Sequence, residues 1–367
     1  MTDSCESLAG ALAQQIRTRL EAAGGWLGFD EFMALALYSP GLGYYANERP
    51  KFGSMPESGS DFVTAPEISP AFGRLLAAQV AEALERTATD EVWEFGAGTG
   101  ALAEQLLGTL GDKLSRYTIV DLSGSLRARQ QERLAAFADK LHWADALPDA
   151  MQGVVVGNEV LDAMPVQLLV RKSGEWFERG VAWNEAEPGF AWADRPTLLR
   201  PPLDIEGPQD YLTEIHAQGE AFVRTLADRL TRGAAFFIDY GFGEGEYYHP
   251  QRHMGTLVCH RAHRMDDNPL VDLGLKDITA HVNFTGTAVA AQDAGMDVLG
   301  YTTQAHFLIN CGLLQQLEQM TQGQRAMAAK LMMEHEMGEL FKVIGLSRGV
   351  EPWPALGFAQ GDRTHRL

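Results

Sequence analysis

The sequence predicts an α/β protein built on an open, doubly wound sheet, and three observations predict it. Strand-like and helix-like segments alternate between residues 91 and 157, the pattern of parallel strands joined by helical crossovers. The strand segment VWEF runs straight into Gly96-Ala97-Gly98-Thr99-Gly100 and then into an apolar helix pattern. An acidic loop, Asn158-Glu159-Val160-Leu161-Asp162-Ala163-Met164-Pro165, ends the fourth strand segment, where open α/β sheets hold their ligands.

In chain order, Leu8, Leu12, Ile16 and Leu20 repeat at helical spacing until Gly24-Gly25. A second short helix, Phe29 to Tyr38, is expected with Asp30 as its cap. Ser39-Pro40-Gly41 then breaks the chain. Residues 41–65 are rich in Gly, Pro and Ser yet carry Tyr44, Tyr45, Phe52 and Phe62, so they read as a structured loop of the kind that closes over sites. Ser69-Pro70 starts a helix whose apolar face is Phe72, Leu75, Leu76 and Val80, ending near Glu85. There follow strand 91–95, helix 100–110, strand 116–121, helix 125–138, a short strand near 141–143 and strand 153–157. Residues 167–184 read as a hairpin, 209–230 as a helix, and 234–239 as the fifth strand. Segments 296–302 and 341–347 complete the sheet, separated by helical sequence rich in Met, Gln and Glu. The chain thus divides into an N-terminal helical cover, 1–88, and a main domain, 89–367, with an insertion at about 167–230.

Composition narrows the function. The 367 residues are 46% apolar and 22% charged, as in ordinary globular proteins, and no apolar run approaches the ~18 residues of a membrane span. The first twenty residues have neither a basic n-region nor an apolar h-region, so the expected location is cytoplasmic. Cys5, Cys259 and Cys311 lie too far apart for a disulfide framework or a Cys-x-x-Cys pair. A net charge of −19 opposes binding to phosphate backbones and suits a basic protein partner. His249, His253, Cys259, His260 and His263 do not make a metal site. Pro250 and Gly255 keep the first two off a shared helix face, and His260 and His263 would face opposite sides of a strand.

The glycine turn admits two cofactors. Gly96 and Gly98 permit positive φ and close backbone approach, and Gly100 permits tight helix packing. Gly96-x-Gly98-x-x-Ala101 also satisfies a dinucleotide fingerprint, with Asp121 at the right distance to hold a ribose. Three features favour S-adenosylmethionine (SAM) over NAD. Glu94 can receive the ammonium of a methionine moiety, whereas it would repel a pyrophosphate. Asp145 follows the third strand, placed to accept from an adenine amino group. The third is the acidic loop itself, standing where a dehydrogenase would begin its second nucleotide-binding half.

Methyl transfer from a sulfonium is an in-line displacement that needs an oriented nucleophile with a free lone pair. Glu159 and Asp162 suit a guanidinium acceptor, since paired carboxylates can bind it bidentately and localise its charge on one nitrogen. The alternative for Asp162 is a cap for a helix begun near Pro165. Tyr240-Gly241-Phe242-Gly243 reads as a substrate-facing loop with no helix behind it. In Asp277 to Phe284, His281 is either a proton acceptor or a structural hydrogen-bonding group.

With those residues in view, the chain resembles the MidA family, methyltransferase-fold proteins related to the mitochondrial complex I assembly arginine methyltransferase. The resemblance runs nearly end to end through FMALALYSPGLGYY (32–45), DFVTAPEISPAFGRLLA (61–77), EFGAGTG (94–100), GNEVLDAMPV (157–166), FFIDYG (236–241) and DITAHVNF (277–284). It implies a class I SAM-dependent methyltransferase with a Rossmann-like, seven-stranded sheet, an N-terminal helical cover and an insertion. It implies SAM as cofactor, held here by Thr64, Glu94, Gly96, Gly98, Gly100, Asp121, Leu122, Asp145 and Asn158, with Thr64 to Glu67 lying against it. Glu159 and Asp162 would be catalytic. The expected acceptor is an arginine-bearing protein segment, and a homodimer is compatible with this reading. Two departures stand out: the family usually has Gly-Asp-Phe where Gly59-Ser60-Asp61-Phe62 stands, and His-Val-Asp-Phe where Asn283 stands. The alternatives are a catalytically silent SAM-binding assembly factor and an NAD-dependent oxidoreductase.

Overall fold

The alternation that begins at residue 91 becomes a continuous sheet in the computed structural model, which describes residues 2–47, 63–121, 124–261 and 264–367. Its strands are β1 (Glu91–Phe95), β2 (Arg116–Val120), β3 (Leu141–Ala144), β4 (Met151–Asn158), β5 (Leu230–Phe242), β6 (Asp297–Thr303) and β7 (Phe341–Arg348). Their spatial order is β6-β7-β5-β4-β1-β2-β3. β1 to β5 pair in parallel, while β7 runs antiparallel to β5 and β6 antiparallel to β7. This is the expected class I methyltransferase sheet, and of the seven strands β7 alone runs against the others. Val282–Asn283 adds a short parallel strand beside the end of β5.

Near-continuous apolar runs form these strands because both sheet faces are covered. Val154 and Val156 of β4 pack with helices Ala71–Thr87 and Ala101–Leu110. Val155 packs on the other face with helices Ala217–Arg229 and Phe284–Asp293. The insertion is richer in strand than its sequence suggests. The hairpin Gln167–Lys172 and Glu175–Asn184 is extended by Gly189–Pro196 and Tyr211–Ile215, and Leu27–Gly28 pairs with its second strand. The first two helices bury Leu12, Ile16, Phe29 and Phe32 against Val166, Leu168 and Val181 of this layer. The first two helices therefore pack on the insertion layer, whereas helix Ala71–Thr87 packs on the sheet itself.

Several expectations are corrected. Residues 209–230 are not one helix: Tyr211–Ile215 is a strand paired with Gln167–Arg171, and the helix starts only at Ala217. Tyr-Leu-Thr-Glu-Ile favours strand, and an open edge was available to pair with it. The helix at 29–38 has Gly28 as its cap, with Asp30 inside the first turn. A short helix, Glu244–Tyr247, does follow Gly243. No helix begins near Pro165, so Asp162 is not a cap. Phe52, Phe62, the Gly59-Ser60-Asp61-Phe62 departure, Leu122 and His263 lie outside the described residues, as does the side chain of Cys5. Cys259 and Cys311 are buried free thiols. Among the described residues no helix is long and apolar enough to cross a membrane, and no cluster of three or more His, Cys, Asp or Glu could hold a metal.

Candidate active site

After β1 the chain builds outward through β2 to β3, then returns to lay β4 on the other side of β1. That reversal leaves a crevice beyond the strand ends. A cavity of about 1400 Å³ opens there, larger than the ~300–1000 Å³ that suits one small ligand, so two molecules can meet in it.

The glycine turn forms one wall. Gly98 sits at φ +54°, and a Cβ built on it would meet no atom within 4 Å, so its backbone is open to a ligand. Gly100, at φ +84°, caps helix Ala101–Leu110; a Cβ there would come 3.3 Å from Leu134, so its role is helix packing. Gly96 has φ +62°. Glu94 is buried in the strand and lines the cavity. The Tyr117 hydroxyl donates to its Oε2 at 2.7 Å. Burial pushes the Glu94 carboxyl up to about 8, with the Tyr117 bond opposing the shift and the charge of Asp121 adding to it. A ligand ammonium would reverse that shift.

Asp121 follows β2 directly, and its Oδ2 accepts from the Gln130 amide at 3.1 Å. The same amide donates to the Gly98 carbonyl at 2.9 Å, while Trp143 donates to Gln130 Oε1. Gln130, which no sequence spacing singled out, therefore ties the Asp121 carboxylate to the glycine turn. Asp145 lies on the rim, exposed, in an ion pair with Arg127 at 2.6 Å. Thr64 precedes the turn Ala65–Ile68 and lines the cavity. That turn is pinned by Gln105 donating to the Pro66 carbonyl at 2.8 Å and by Arg133 paired with Glu67 at 3.0 Å; the Thr99 hydroxyl also donates to Glu67.

The acidic loop forms the facing wall. Glu159 has φ +55°, a left-handed conformation that a glutamate adopts only under constraint. Asp239, fully buried near the end of β5, supplies that constraint. Its Oδ2 accepts from the backbone N–H groups of Val160, Leu161 and Asp162 at 3.0, 2.8 and 3.4 Å. Tyr38 donates to the Ala163 carbonyl at 2.8 Å. Asn158 donates to Glu159 Oε1 at 3.0 Å. Two buried atoms here, Asn158 Oδ1 and Asp162 Oδ1, have no hydrogen-bond partner among the described residues. Burial raises Glu159 to about 8 and Asp162 to about 6, the charge of Asp162 adding to the Glu159 shift.

His281 stacks on Phe242 with centroids 5.2 Å apart and meets Tyr240 edge-on. Burial lowers its pKa to about 4, so the ring is neutral, and Nδ1 is buried without a partner. Such a ring is a weak proton acceptor and a serviceable hydrogen-bonding group. Asn283 does not line the cavity; its side chain accepts from Gly286 N at 3.2 Å and caps helix Phe284–Asp293, which an aspartate could do equally.

The lining charge is one-sided. Glu67, Glu94, Asp121, Asp145, Glu159, Asp162, Asp277 and Glu336 face the cavity, and no lysine or arginine does so among the described residues. An open glycine turn, a buried carboxyl awaiting a cation and a partnerless acceptor on Asn158 fit SAM, whose methionine end is cationic; a pyrophosphate would find no lysine or arginine among the described lining residues.

A doubly wound sheet with this turn and this acidic loop defines a class I methyltransferase. The profile of the family described as "Putative S-adenosyl-L-methionine-dependent methyltransferase" matches residues 75–302, and the chain belongs to that family. Its structure is similar to that of a Burkholderia thailandensis protein solved with S-adenosyl-homocysteine, at 48% identity and a TM-score of 0.95, covering 99% of this chain and 98% of that one. It is also 28% identical to the protein arginine methyltransferase NDUFAF7, mitochondrial, of Danio rerio, covering 84% of this chain and 78% of the relative. The Drosophila melanogaster homologue of the same name is 27% identical over 98% of this chain and 91% of its own. The resemblance to the MidA family stands, SAM is the cofactor, and the NAD alternative falls.

Proposed function

We propose that the enzyme methylates an arginine side chain of a protein. The observation that carries this reading is the cavity charge: among the described residues eight carboxyl side chains and no lysine or arginine line it, which suits an acceptor that is itself cationic. The names of the Danio and Drosophila relatives support it. Glu94 would take the cofactor ammonium, Asp121 the ribose hydroxyls and Asp145 the adenine amine, with Gly96, Gly98, Gly100, Thr64 and Asn158 completing the cradle. The bound cofactor supplies an electrophilic methyl group. Glu159 and Asp162 would hold the guanidinium through charge-assisted hydrogen bonds and draw its charge away from one nitrogen, whose lone pair then attacks. An N–C bond forms as the S–C bond breaks, and the nitrogen's surplus proton passes to a carboxylate. Glu159, which the bound guanidinium would hold ionised, is the candidate acceptor. Buried free thiols suit a reducing compartment such as the cytoplasm, and the −19 charge favours a protein over a nucleic-acid partner.

The test is paired. Glu159→Gln keeps shape but loses charge and one acceptor, so SAM affinity by calorimetry should stay near wild type. Transfer to arginine, followed by mass spectrometry, should fall at least a hundredfold, since the lost pairing would contribute several kcal/mol in the transition state. Undiminished methylation would remove Glu159 from the mechanism. If the wild type binds SAM but transfers nothing to any protein of a lysate, the silent assembly factor is the better reading.

A further inference from the structure

We propose that Asp277 is a third carboxylate of the acceptor site, binding the guanidinium together with Glu159 and Asp162, and that Tyr45 fixes its orientation. This rests on the arginine reading above.

Asp277 opens the short strand Asp277–Thr279, is buried, and lines the cavity. Its Oδ1 accepts from the Tyr45 hydroxyl at 2.8 Å and from Ile278 N at 2.9 Å. Tyr45 in turn lies on Tyr38, with centroids 5.5 Å apart, and Tyr38 is bonded to the acidic loop. One aromatic pair from the N-terminal segment thus holds both Asp277 and the loop bearing Glu159 and Asp162. The carboxylates are close enough to feel each other: after burial, the charge of Asp162 and then that of Asp277 help to raise Glu159. The neighbouring Lys276 does not neutralise the site, because its Nζ is committed to both oxygens of Asp266, at 2.8 and 2.9 Å, and to the Asn268 carbonyl. An independent observation points to a ligand. Asp162 is almost wholly buried in the cavity wall, and its Oδ1 has no hydrogen-bond partner among the described residues.

Chemistry asks for such a group. An arginine side chain keeps its positive charge at neutral pH until the surplus proton leaves the attacking nitrogen. It must also approach a sulfonium of like charge. A third carboxylate beside the acceptor offsets that repulsion, and a buried one does so most strongly because little water screens it. Tyr45 keeps the carboxylate from turning toward bulk solvent.

The experiment uses the full chain saturated with S-adenosyl-homocysteine. It is titrated by calorimetry with Nα-acetyl-arginine amide and with the neutral isostere Nα-acetyl-citrulline amide. The wild type should prefer the arginine probe. Asp277→Asn should weaken that probe at least tenfold while S-adenosyl-homocysteine affinity stays within twofold, and the ratio of arginine to citrulline affinity should collapse, which a merely structural role would not cause. Tyr45→Phe removes a single hydroxyl, should lose severalfold in the same ratio, and decides the matter if Asp277→Asn does not fold. Variants that discriminate as well as the wild type would overturn the role of Asp277 and leave the arginine reading standing. A wild type that does not prefer arginine would overturn both.

Discussion

Glu94 and Asp121 suit different parts of one ligand because their surroundings differ. Glu94 is buried and bonded to Tyr117, so it is costly to keep ionised until a cation arrives. Asp121 is half-buried, and the Gln130 amide orients it. Asp121→Ala should therefore weaken SAM without unfolding the chain. Carboxylate hydrogen bonds to ribose contribute about 1.5–3 kcal/mol, which is tenfold or more in affinity. Calorimetry on the folded variant decides; wild-type affinity would mean that the ribose is held elsewhere. Gly98→Ala tests the neighbouring wall. The added methyl clashes with no protein atom, so stability should fall by only about 1 kcal/mol from the φ of +54°, whereas SAM binding should fall much further because the methyl occupies the ligand's approach. A thermal-melt series with and without SAM separates the two effects, and an unaltered SAM response would show that the backbone there does not touch the cofactor.

At the scale of elements, the acidic loop is a strained segment held in place from another strand. Three consecutive N–H groups converge on Asp239, leaving Glu159 in a left-handed turn that aims its side chain differently from any regular strand end. Asp239→Asn would present an NH₂ group or a weaker oxygen to those donors. It should destabilise the protein by about 3 kcal/mol, read as a lower urea midpoint with unchanged slope, and should cut methyl transfer more than SAM affinity. Equal losses in both would show that Asp239 supports the sheet rather than the loop. The sequence made the sheet legible, because parallel strands read as apolar runs and glycines mark the turn, and the acidic loop was visible as charge at a strand end. The Tyr211–Ile215 strand was not, since its pairing depends on a partner edge some 40 residues away in the chain. Gln130, Asp239 and Asp277 were equally hidden as site residues: each acts through a contact between elements distant in sequence, and local periodicity carries no trace of that.

For the whole molecule, a cavity lined by carboxylates stores a pH dependence. Burial raises Glu94 and Glu159 from 4.5 to about 8 and Asp162 from 3.8 to about 6. Between those values the folded chain binds more protons than the unfolded chain, so ligand-free stability from these groups is fully present below about 4.5 and is lost as pH rises through about 8. A bound cation reverses the sign locally: an ammonium beside Glu94 restores the carboxylate, so binding releases protons and tightens with pH. The melting temperature without ligand should therefore fall from pH 6 to pH 8.5, after allowance for the titration of exposed groups, while the increment produced by saturating SAM grows over the same range. Glu94→Gln carries no titrating carboxyl and should flatten the growth of that increment, leaving the contribution of Glu159 to the ligand-free slope. Calorimetry in buffers of differing ionisation enthalpy gives the proton count directly, and more than half a proton should leave per SAM bound at pH 7. A SAM increment independent of pH in the wild type, with no protons released, would mean that Glu94 is already ionised in the free enzyme and that Tyr117 alone is enough to hold its charge.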